Sequence, residues 1–355
     1  MKLTAKLQPL TYEFPFVVSS FAKSNTTTII ITLSFIHNGN TISGIGEAVP
    51  VRLYNDSPEA VLQFYERLIQ DKVLDNLSPF DIPALQERFK LYAGNMAAKA
   101  AIDMAFYDMQ GKILNQPLWQ IFGLEPAKCP ESSYTIGMAD INTVKHKTAI
   151  ALQRGYSILK VKMGSEADIS CFKAIRQLAP DCTIRVDANA AWTYEKAVQI
   201  CHFLAEHRVE LVEEPLRLDS SEADYTLLKK NSPLPLMADE RCHTSKDLMF
   251  CAKYYNAINL KPCKTGGLTE AMVMIEKAST LGLDVMLGGF GETSVSVTAF
   301  AHLAPKVRYC DLDAALLIAD DPYTGIVFNG SKFTLPNRAG LGVVKKSQST
   351  QGAKN

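Results

Sequence analysis

Short apolar runs separated by stretches of helical character dominate the chain from about residue 134 onward. Eight such runs fall within about 180 residues: YTIG, ILKVKMG, IRVDAN, VELVEE, LPLMADE, AINLK, DVMLGG and VRYCDLD. Most are followed by sequences with apolar residues at three- and four-residue spacing, such as TYEKAVQICHFLAEH. Eight repeats of strand and helix predict a (β/α) barrel. An open doubly wound sheet is the competing architecture, but no GxGxxG follows the early strands.

The first third of the chain has a different pattern. The run TTTIIITLSFI is rich in β-branched residues, HNGN predicts a turn, and TISGIGEA predicts a return strand. From about Pro58 to Leu114 the spacing of apolar residues is helical. Sheet followed by helices describes an α+β domain. We therefore predict four parts: an α+β domain over 1–118, a modified (β/α)8-type barrel over 119–318, a segment over 319–345 that returns to the first domain, and a disordered polar tail over 346–355.

Composition limits the partners and the location that we expect. The 355 residues include 37 basic and 37 acidic side chains, so net charge gives no reason to expect nucleic acid or an anionic membrane as a partner. No run approaches the roughly 18 apolar residues of a membrane span, and MKLTAKLQPLTYEF lacks the apolar core of a signal peptide. Eight cysteines without CxxC pairs argue against zinc sites and a disulfide framework. These features predict a cytoplasmic protein.

Three carboxylates end three successive apolar runs. Asp187, Glu213 and Asp239 follow one another at intervals of 26 residues. One strand and one helix of a barrel use about that length, and strand ends on one barrel face converge, so the acids are expected to meet. Hard oxygen ligands suit Mg²⁺. An isolated acid at a strand end is more often a helix cap, and the adjacent Glu214 and Glu240 are alternative ligands, although alternation sends neighbours to opposite faces.

Lysines occupy the strand ends on either side of these acids. Lys160 and Lys162 are two apart in LKVKMG, so a strand places both on one face. If that face is the barrel interior, repulsion and burial are expected to lower a lysine pKa and to make one a base near neutral pH. Lys261 closes AINLK, on the far side of the barrel, and Lys264 is one turn beyond it. Lysines on opposite sides of a metal-bound substrate can remove a proton from one face and return one to the other.

A KxK pair alone is typical of the solvated face of a strand, but the ordered series KxK, D, E, D, K makes that explanation weak. LKVKMG, VDAN, VEEP, ADE and INLKPCKTGG match, in order, the signature of the enolase superfamily in its muconate-lactonizing subgroup. The chain resembles that family, which pairs an α+β capping domain with a modified barrel, over nearly its whole length. The resemblance implies one Mg²⁺ per subunit with three ligands: Asp187, Glu213 and Asp239. It implies Lys162 and Lys261 as the acid/base pair, Lys160 as a modulator of Lys162, and a homo-oligomer.

A further motif narrows the reaction. Asp311-Leu312-Asp313, in YCDLDAALLIADDP, looks like the DxD of dipeptide epimerases, in which paired acids hold the ammonium group of the first residue. A buried α-ammonium needs anionic partners. The preceding GGFGETSVSVTAFAHLA is similar to the matching segment of those enzymes, although GGF departs from their GCM or GSM. The resemblance implies epimerisation of the C-terminal residue of a dipeptide through a metal-stabilised enediolate, with Thr135 as a further substrate-binding residue.

Specificity is expected from capping-domain loops that close over the barrel mouth. Lys23, in FVVSSFAKSNTTT, stands nearest to where enzymes acting on L-Ala-L-Glu carry an arginine that pairs with the glutamate side chain. A lysine attracts a carboxylate as a point charge; the alternative is a lysine that only faces solvent. Arg52, in EAVPVRLYNDS, is a second candidate, whereas Phe290 favours an apolar second residue. Together they predict an L-Ala-L-Glu-type substrate, with relaxation toward hydrophobic L-Ala-X dipeptides.

Four other functions compete with this one. An N-acylamino acid racemase or an o-succinylbenzoate synthase of the same superfamily would need no ammonium pocket, so Asp311 and Asp313 discriminate against both. A muconate cycloisomerase is disfavoured because two adjacent acids would repel a dianionic substrate. A non-catalytic binding protein on the same fold is the remote alternative, and the complete series of acids and lysines argues against it.

Overall fold

The computed structural model describes residues 1–18 and 21–347, so most of the predicted polar tail lies outside the described residues. The chain begins with a three-stranded antiparallel sheet in the order β1-β2-β3, formed by β1 (Lys2–Val18), β2 (Phe21–His37) and β3 (Asn40–Ala48). Asn38 and Gly39 join β2 to β3 with φ angles of 50° and 79°. Positive φ at both turn residues matches the right-handed twist of a hairpin, which explains the predicted turn.

Four helices follow: α1 (Pro58–Gln70), α2 (Ile82–Phe89), α3 (Met96–Leu114) and α4 (Leu118–Ile121). Helix α3 is the centre of this part, and its alanine-rich length is buried almost all round. Two glycines of β3 allow the close approach. A Cβ on Gly44 would lie 2.0 Å from the carbonyl oxygen of Ala105, and one on Gly46 would lie 1.9 Å from that of Ala101. The sheet and the helices together form the α+β arrangement that the sequence predicts for this part of the chain.

The remaining chain is built around eight parallel strands in sequence order. They are β4 (Tyr134–Ile136), β5 (Ile158–Lys162), β6 (Thr183–Asp187), β7 (Val209–Glu213), β8 (Leu236–Ala238), β9 (Ala257–Leu260), β10 (Asp284–Leu287) and β11 (Tyr309–Cys310). A parallel bridge between Ser132 and Cys310 brings the last strand back to the first and closes the barrel. Each strand coincides with one of the eight predicted runs, which confirms the barrel.

Helices connect successive strands: α5 (Ile141–Gln153), α6 (Asp168–Leu178), α7 (Tyr194–Glu206), α8 (Glu222–Asn231), α9 (Leu248–Tyr254), α10 (Pro262–Thr265), α11 (Leu268–Thr280) and α12 (Ser294–Ala301). Side-chain caps start several of them; Ser221 and Asp224 form a reciprocal capping box at α8. After β11 the chain makes only a 3₁₀ turn, Ala314–Leu317, where an eighth barrel helix would begin. The barrel is therefore a modified (β/α)8 barrel with a (β/α)7β connection.

The C-terminal segment contacts both parts of the molecule. It contains β12 (Tyr323–Thr324), a hairpin of β13 (Val327–Asn329) and β14 (Lys332–Thr334), and β15 (Val344–Lys345). The Leu341 amide donates to Asp108 of α3 at 2.9 Å, and the Ser132 amide donates to the Ser331 carbonyl at 2.7 Å. The positions of the domain boundaries stay a prediction. Within the described ranges, no helix has the length and apolar content needed to cross a bilayer.

Candidate active site

The three predicted carboxylates meet at one end of the barrel. Asp187 and Glu213 are the last residues of β6 and β7, and Asp239 directly follows β8. All three side chains are fully buried. One oxygen of each lies within 4.8 Å of an oxygen of the other two. Because neighbouring parallel strands end side by side, the 26-residue spacing translates into a compact cluster.

This acid cluster can hold a metal ion. Burial and the neighbouring carboxylate of Asp187 raise the pKa of Glu213 to about 7. Three acids this close repel one another strongly unless a cation lies between or beside them. The ligand atoms that converge are all carboxylate oxygens. Such a donor set suits a hard divalent cation.

Four lysine ammonium groups surround the cluster, those of Lys160, Lys162, Lys261 and Lys264. Lys160 Nζ lies 2.8 Å from Glu213 Oε2 and 3.2 Å from Asp187 Oδ2. Lys162 Nζ lies 2.6 Å from Asp187 Oδ2, and Lys261 Nζ lies 2.6 Å from Asp239 Oδ2. Since Lys162 ends β5 and Lys261 follows β9, the two lysines flank the three acid-bearing strands on opposite sides.

The sequence-based expectation that burial and mutual repulsion would lower the pKa of a lysine in the Lys160/Lys162 pair is wrong for Lys160. Burial alone would lower the pKa of Lys160, but the carboxylates of Asp311 and Glu213 raise it well above its usual range. Burial would likewise lower the pKa of Lys261, but Asp239 and the other nearby carboxylates together raise it. The physical reason is that each ammonium group faces carboxylates at hydrogen-bond distance. The pattern KxK shows which face the lysines share, but not which acids the fold places beside them.

A cavity with about 700 Å³ of empty space, part of it open to solvent, lies above the strand ends. Its polar lining includes both flanking lysines and the paired acids after β11: Thr135, Lys160, Lys162, Glu240, Lys261, Asp311 and Asp313. Its apolar lining comes largely from the first domain and from the loops after β10 and β11: Tyr12, Phe16, Val18, Val51, Leu53, Phe290 and Leu317. The cavity thus combines one strongly polar wall with a mostly apolar roof.

The paired acids have different surroundings. Asp311 accepts from Lys160 Nζ at 2.8 Å and from the Ser133 hydroxyl at 2.6 Å. Burial opposes the charged form, yet Lys160 lowers the pKa of Asp311. Asp313 accepts from the backbone amide of Thr135 at 2.6 Å, and burial together with Asp311 raises its pKa to about 7. Thr135 therefore orients Asp313 in addition to lining the cavity.

The two predicted specificity cations lie outside the lining that the described residues form. Lys23 on β2 is opposite Phe16 of β1, and only Phe16 reaches the cavity. Arg52 begins a 3₁₀ turn, and its neighbours Val51 and Leu53 line the cavity while Arg52 itself is exposed. Burial and the Arg52 charge both lower the pKa of Lys23, so the two cations are close enough to interact. Residues 19–20 of the predicted loop lie outside the described residues.

Aromatic rings stand over both flanking lysines. The Phe290 ring centroid is 4.2 Å from Lys261 Nζ, and the Phe16 ring centroid is 6.0 Å from Lys162 Nζ. Tyr54 packs edge-on against Phe290 at 5.9 Å. These contacts stabilise an ammonium group and shield it from water. Sequence reasoning selected Phe290 for the substrate alone and missed Phe16 and Tyr54, which belong to no motif.

From the sequence, Glu214 is an alternative ligand, and no supporting role is predicted for any residue around the cluster. Glu214 accepts from the backbone amides of Asp239 and Arg241 at 2.8 and 3.0 Å, so it braces the loop after β8 and lies outside the acid cluster. Lys264 is fully buried and donates to Asp239 Oδ1 at 2.6 Å. Asn259 Nδ2 donates to Glu213 Oε1 at 2.9 Å. Lys264 is visible in PCKTGG, whereas nothing in the sequence singles out Asn259.

Comparison with known proteins agrees with this architecture. Residues 143–349 match the family model described as enolase C-terminal domain-like, and residues 2–123 match that of the mandelate racemase / muconate lactonizing enzyme N-terminal domain. The chain belongs to the enolase superfamily, which confirms the resemblance stated from its motifs.

The similar proteins include dipeptide epimerases. An L-Ala-D/L-amino acid epimerase from Pedosphaera parvula is 34% identical over 93% of this chain and 95% of its own length. A substrate-liganded L-Ala-D/L-Glu epimerase from Bacillus subtilis superposes with a TM-score of 0.91 at 26% identity, covering 97% of this chain and 98% of that one. The dipeptide epimerase from Enterococcus faecalis, complexed with Mg and L-Leu-L-Tyr, superposes with a TM-score of 0.88 at 30% identity, covering 96% of this chain and 98% of that one.

Proposed function

We propose that this protein epimerises the second residue of a dipeptide whose first residue carries a free α-ammonium group. The observation that carries the proposal is the order of groups around the cavity. Lys162 and Lys261 flank the acid cluster, and Asp311 and Asp313 lie on the same cavity wall. Similarity to dipeptide epimerases over nearly the full length of the chain supports the same reaction.

Asp187, Glu213 and Asp239 would hold one Mg²⁺ per subunit. When bound there, Mg²⁺ supplies positive charge beside the substrate carboxylate and so favours loss of the adjacent α-proton. Lys160, buried among acids, keeps its proton and contributes a fixed positive charge at the same place. It also holds Asp311, and thereby links the acid cluster to the ammonium pocket.

Proton transfer is the task of the two flanking lysines. On one face of the substrate a neutral lysine takes the α-proton, and on the opposite face a protonated lysine returns one. In the resting site each ammonium group is paired with a cluster carboxylate at 2.6 Å. One pair must therefore loosen before its lysine can act as a base. Phe16 and Phe290 limit water at the two ammonium groups, which favours return of a proton from lysine itself.

The ammonium pocket separates this proposal from its main alternative. Asp311 and Asp313 would pair with the α-ammonium of a dipeptide, whereas an N-acylamino acid racemase or an o-succinylbenzoate synthase has no ammonium group to bind. A small dipeptide is the proposed partner. The homo-oligomeric state and the cytoplasmic location stay predictions.

The Asp311→Asn/Asp313→Asn double variant tests the assignment. It keeps the size of both side chains and removes their charge, so kcat/KM for L-Ala-L-Glu and L-Ala-L-Leu should fall by about 100-fold or more, mostly through KM. Turnover of N-succinylamino acids, measured in parallel by chiral chromatography, is the control. A wild-type protein that racemises N-succinylamino acids but not dipeptides would transfer the assignment to the racemase.

A further inference from the structure

The first domain contacts the barrel at the start of helix α11, a few residues after Lys261 in the sequence. Helix α11 begins at Leu268 and follows Gly267, which has no side chain to cap it. Asp103 of α3 takes that place. Its Oδ2 accepts from the backbone amides of Leu268 at 2.7 Å and Thr269 at 3.1 Å, and its Oδ1 accepts from the Thr269 hydroxyl at 2.5 Å. The N-cap of a barrel helix is thus a fully buried carboxylate from a residue 165 positions earlier.

The two glycines of the KTGG motif fit this contact. Gly267 has φ of 130° and ψ of −170°, a conformation almost restricted to glycine. A Cβ at Gly267 would lie 2.4 Å from Asp103 Oδ2. Gly266 has φ of 76°, and its Cβ would lie 2.8 Å from Met96 Cε in the first turn of α3. Both glycines therefore seat the start of α11 against α3.

The contact between Asp103 and the start of α11 is close to Lys261 along the chain. The four residues of α10 and Gly266 are all that separate Lys261 from Gly267. Within that stretch the Lys261 carbonyl accepts from the amides of Lys264 and Thr265 at 3.0 and 3.1 Å. A displacement of the Gly267 backbone would therefore move the Lys261 backbone as well. Lys162 ends β5, with three strands between it and β9, and does not share this support.

We infer that Asp103 is a positioning residue for Lys261: it caps α11 from the other domain and thereby fixes the Lys261 ammonium group against Asp239 and the cavity. The inference rests on the proposed two-lysine epimerisation. It states that losing Asp103 impairs proton transfer on the Lys261 face of the substrate and spares the Lys162 face. Because a displacement of about 1 Å can cost on the order of 100-fold in rate, the defect should be at least about tenfold.

The test measures α-proton exchange separately for the L,L and L,D epimers of L-Ala-Leu in D₂O with Mg²⁺. Lys261→Ala sets the reference, since only the epimer whose proton Lys162 removes should still exchange. Asp103→Asn should skew exchange in the same direction: the other epimer slows at least about tenfold, and the Lys162 epimer stays within about twofold. Equal slowing of both epimers, or no slowing, would overturn the inference.

Asp108→Asn is the matched control. Asp108 is also a buried acid on α3, but it accepts from the amides of Ile45 and Leu341 rather than from the start of α11. Its loss should affect both epimers alike. If Asp103→Asn does not fold, Thr269→Val, which removes the hydroxyl bond to Asp103 and a contact with the Tyr107 hydroxyl, must give the same direction of skew. A wild-type protein that exchanges neither epimer of any L-Ala-X dipeptide would instead refute the proposed function, and the inference with it.

Discussion

At the scale of single residues, the site is a balance of buried charges. Lys261 and Lys264 both contact Asp239 at 2.6 Å, and Lys160 contacts three carboxylates. Removing one partner of a buried pair typically costs about 3–5 kcal/mol, because the other charge is left uncompensated. Most residues of this network could be chosen from the sequence because they lie at or near the end of a recognisable strand; Lys264, on α10, is the exception. Their pKa directions could not, since these depend on which side chains the barrel brings together.

Lys23 provides a test of substrate preference at this scale. If Lys23 attracts the side-chain carboxylate of a bound L-Ala-L-Glu, Lys23→Ala should lower kcat/KM for that dipeptide by about tenfold, the loss expected for one charged contact. The value for L-Ala-L-Leu should not change. Steady-state kinetics on both dipeptides checks this, with the exposed Lys6→Ala of β1 as the control. An unchanged kcat/KM for L-Ala-L-Glu would remove Lys23 from the specificity residues and leave Arg52 as the remaining candidate.

At the scale of elements, contacts between distant segments hold the parts together. The carboxylate of Glu47, at the end of β3, accepts from the Thr293 amide at 3.0 Å and the Ser296 amide at 3.1 Å, at the start of barrel helix α12. Every strand of the barrel and the long helices could be predicted from periodicity, because that pattern is local. The caps that Glu47 and Asp103 of the first domain provide to barrel helices could not be predicted. A capping carboxylate from another domain leaves no signal near the helix that it caps.

His302, directly after α12, gives a stability prediction at this scale. Its ring is fully buried between the Trp119 amide, 3.2 Å from Nδ1, and the Leu341 carbonyl, 3.1 Å from Nε2. Burial lowers its pKa to about 4, below the value of about 6.5 expected in the unfolded chain. The unfolded state therefore binds the proton more readily. The free energy of unfolding consequently falls as the pH drops from about 6.5 to about 4.

His302→Gln removes that titration. The difference in unfolding free energy between wild type and His302→Gln should shrink by about 3 kcal/mol across this range, measured by urea denaturation at several pH values. A difference that stays constant with pH would show that His302 is not kept neutral by its surroundings.

At the scale of the whole molecule, the cavity exists only because two domains share it. The barrel supplies the acids and lysines, and the first domain supplies Tyr12, Phe16, Val51 and Leu53 over them. The chemistry could be predicted because barrel strand ends follow a fixed geometry. Most of the apolar roof could not, because Tyr12, Phe16, Val51 and Leu53 come from β1 and the segment after β3, which carry no motif. Substrate preference depends on that roof and is therefore the least constrained part of the sequence-based hypothesis.

The most direct test of the central claim is deuterium incorporation by the wild-type protein with Mg²⁺ and a library of L-Ala-X dipeptides in D₂O. We predict one deuterium at the α-carbon of residue X, appearance of both epimers, and loss of both signals when the metal is removed with a chelator. Mass spectrometry and chiral chromatography would report them, and the identity of X would define the preferred side chain. Exchange in N-succinylamino acids without any exchange in dipeptides would contradict the account.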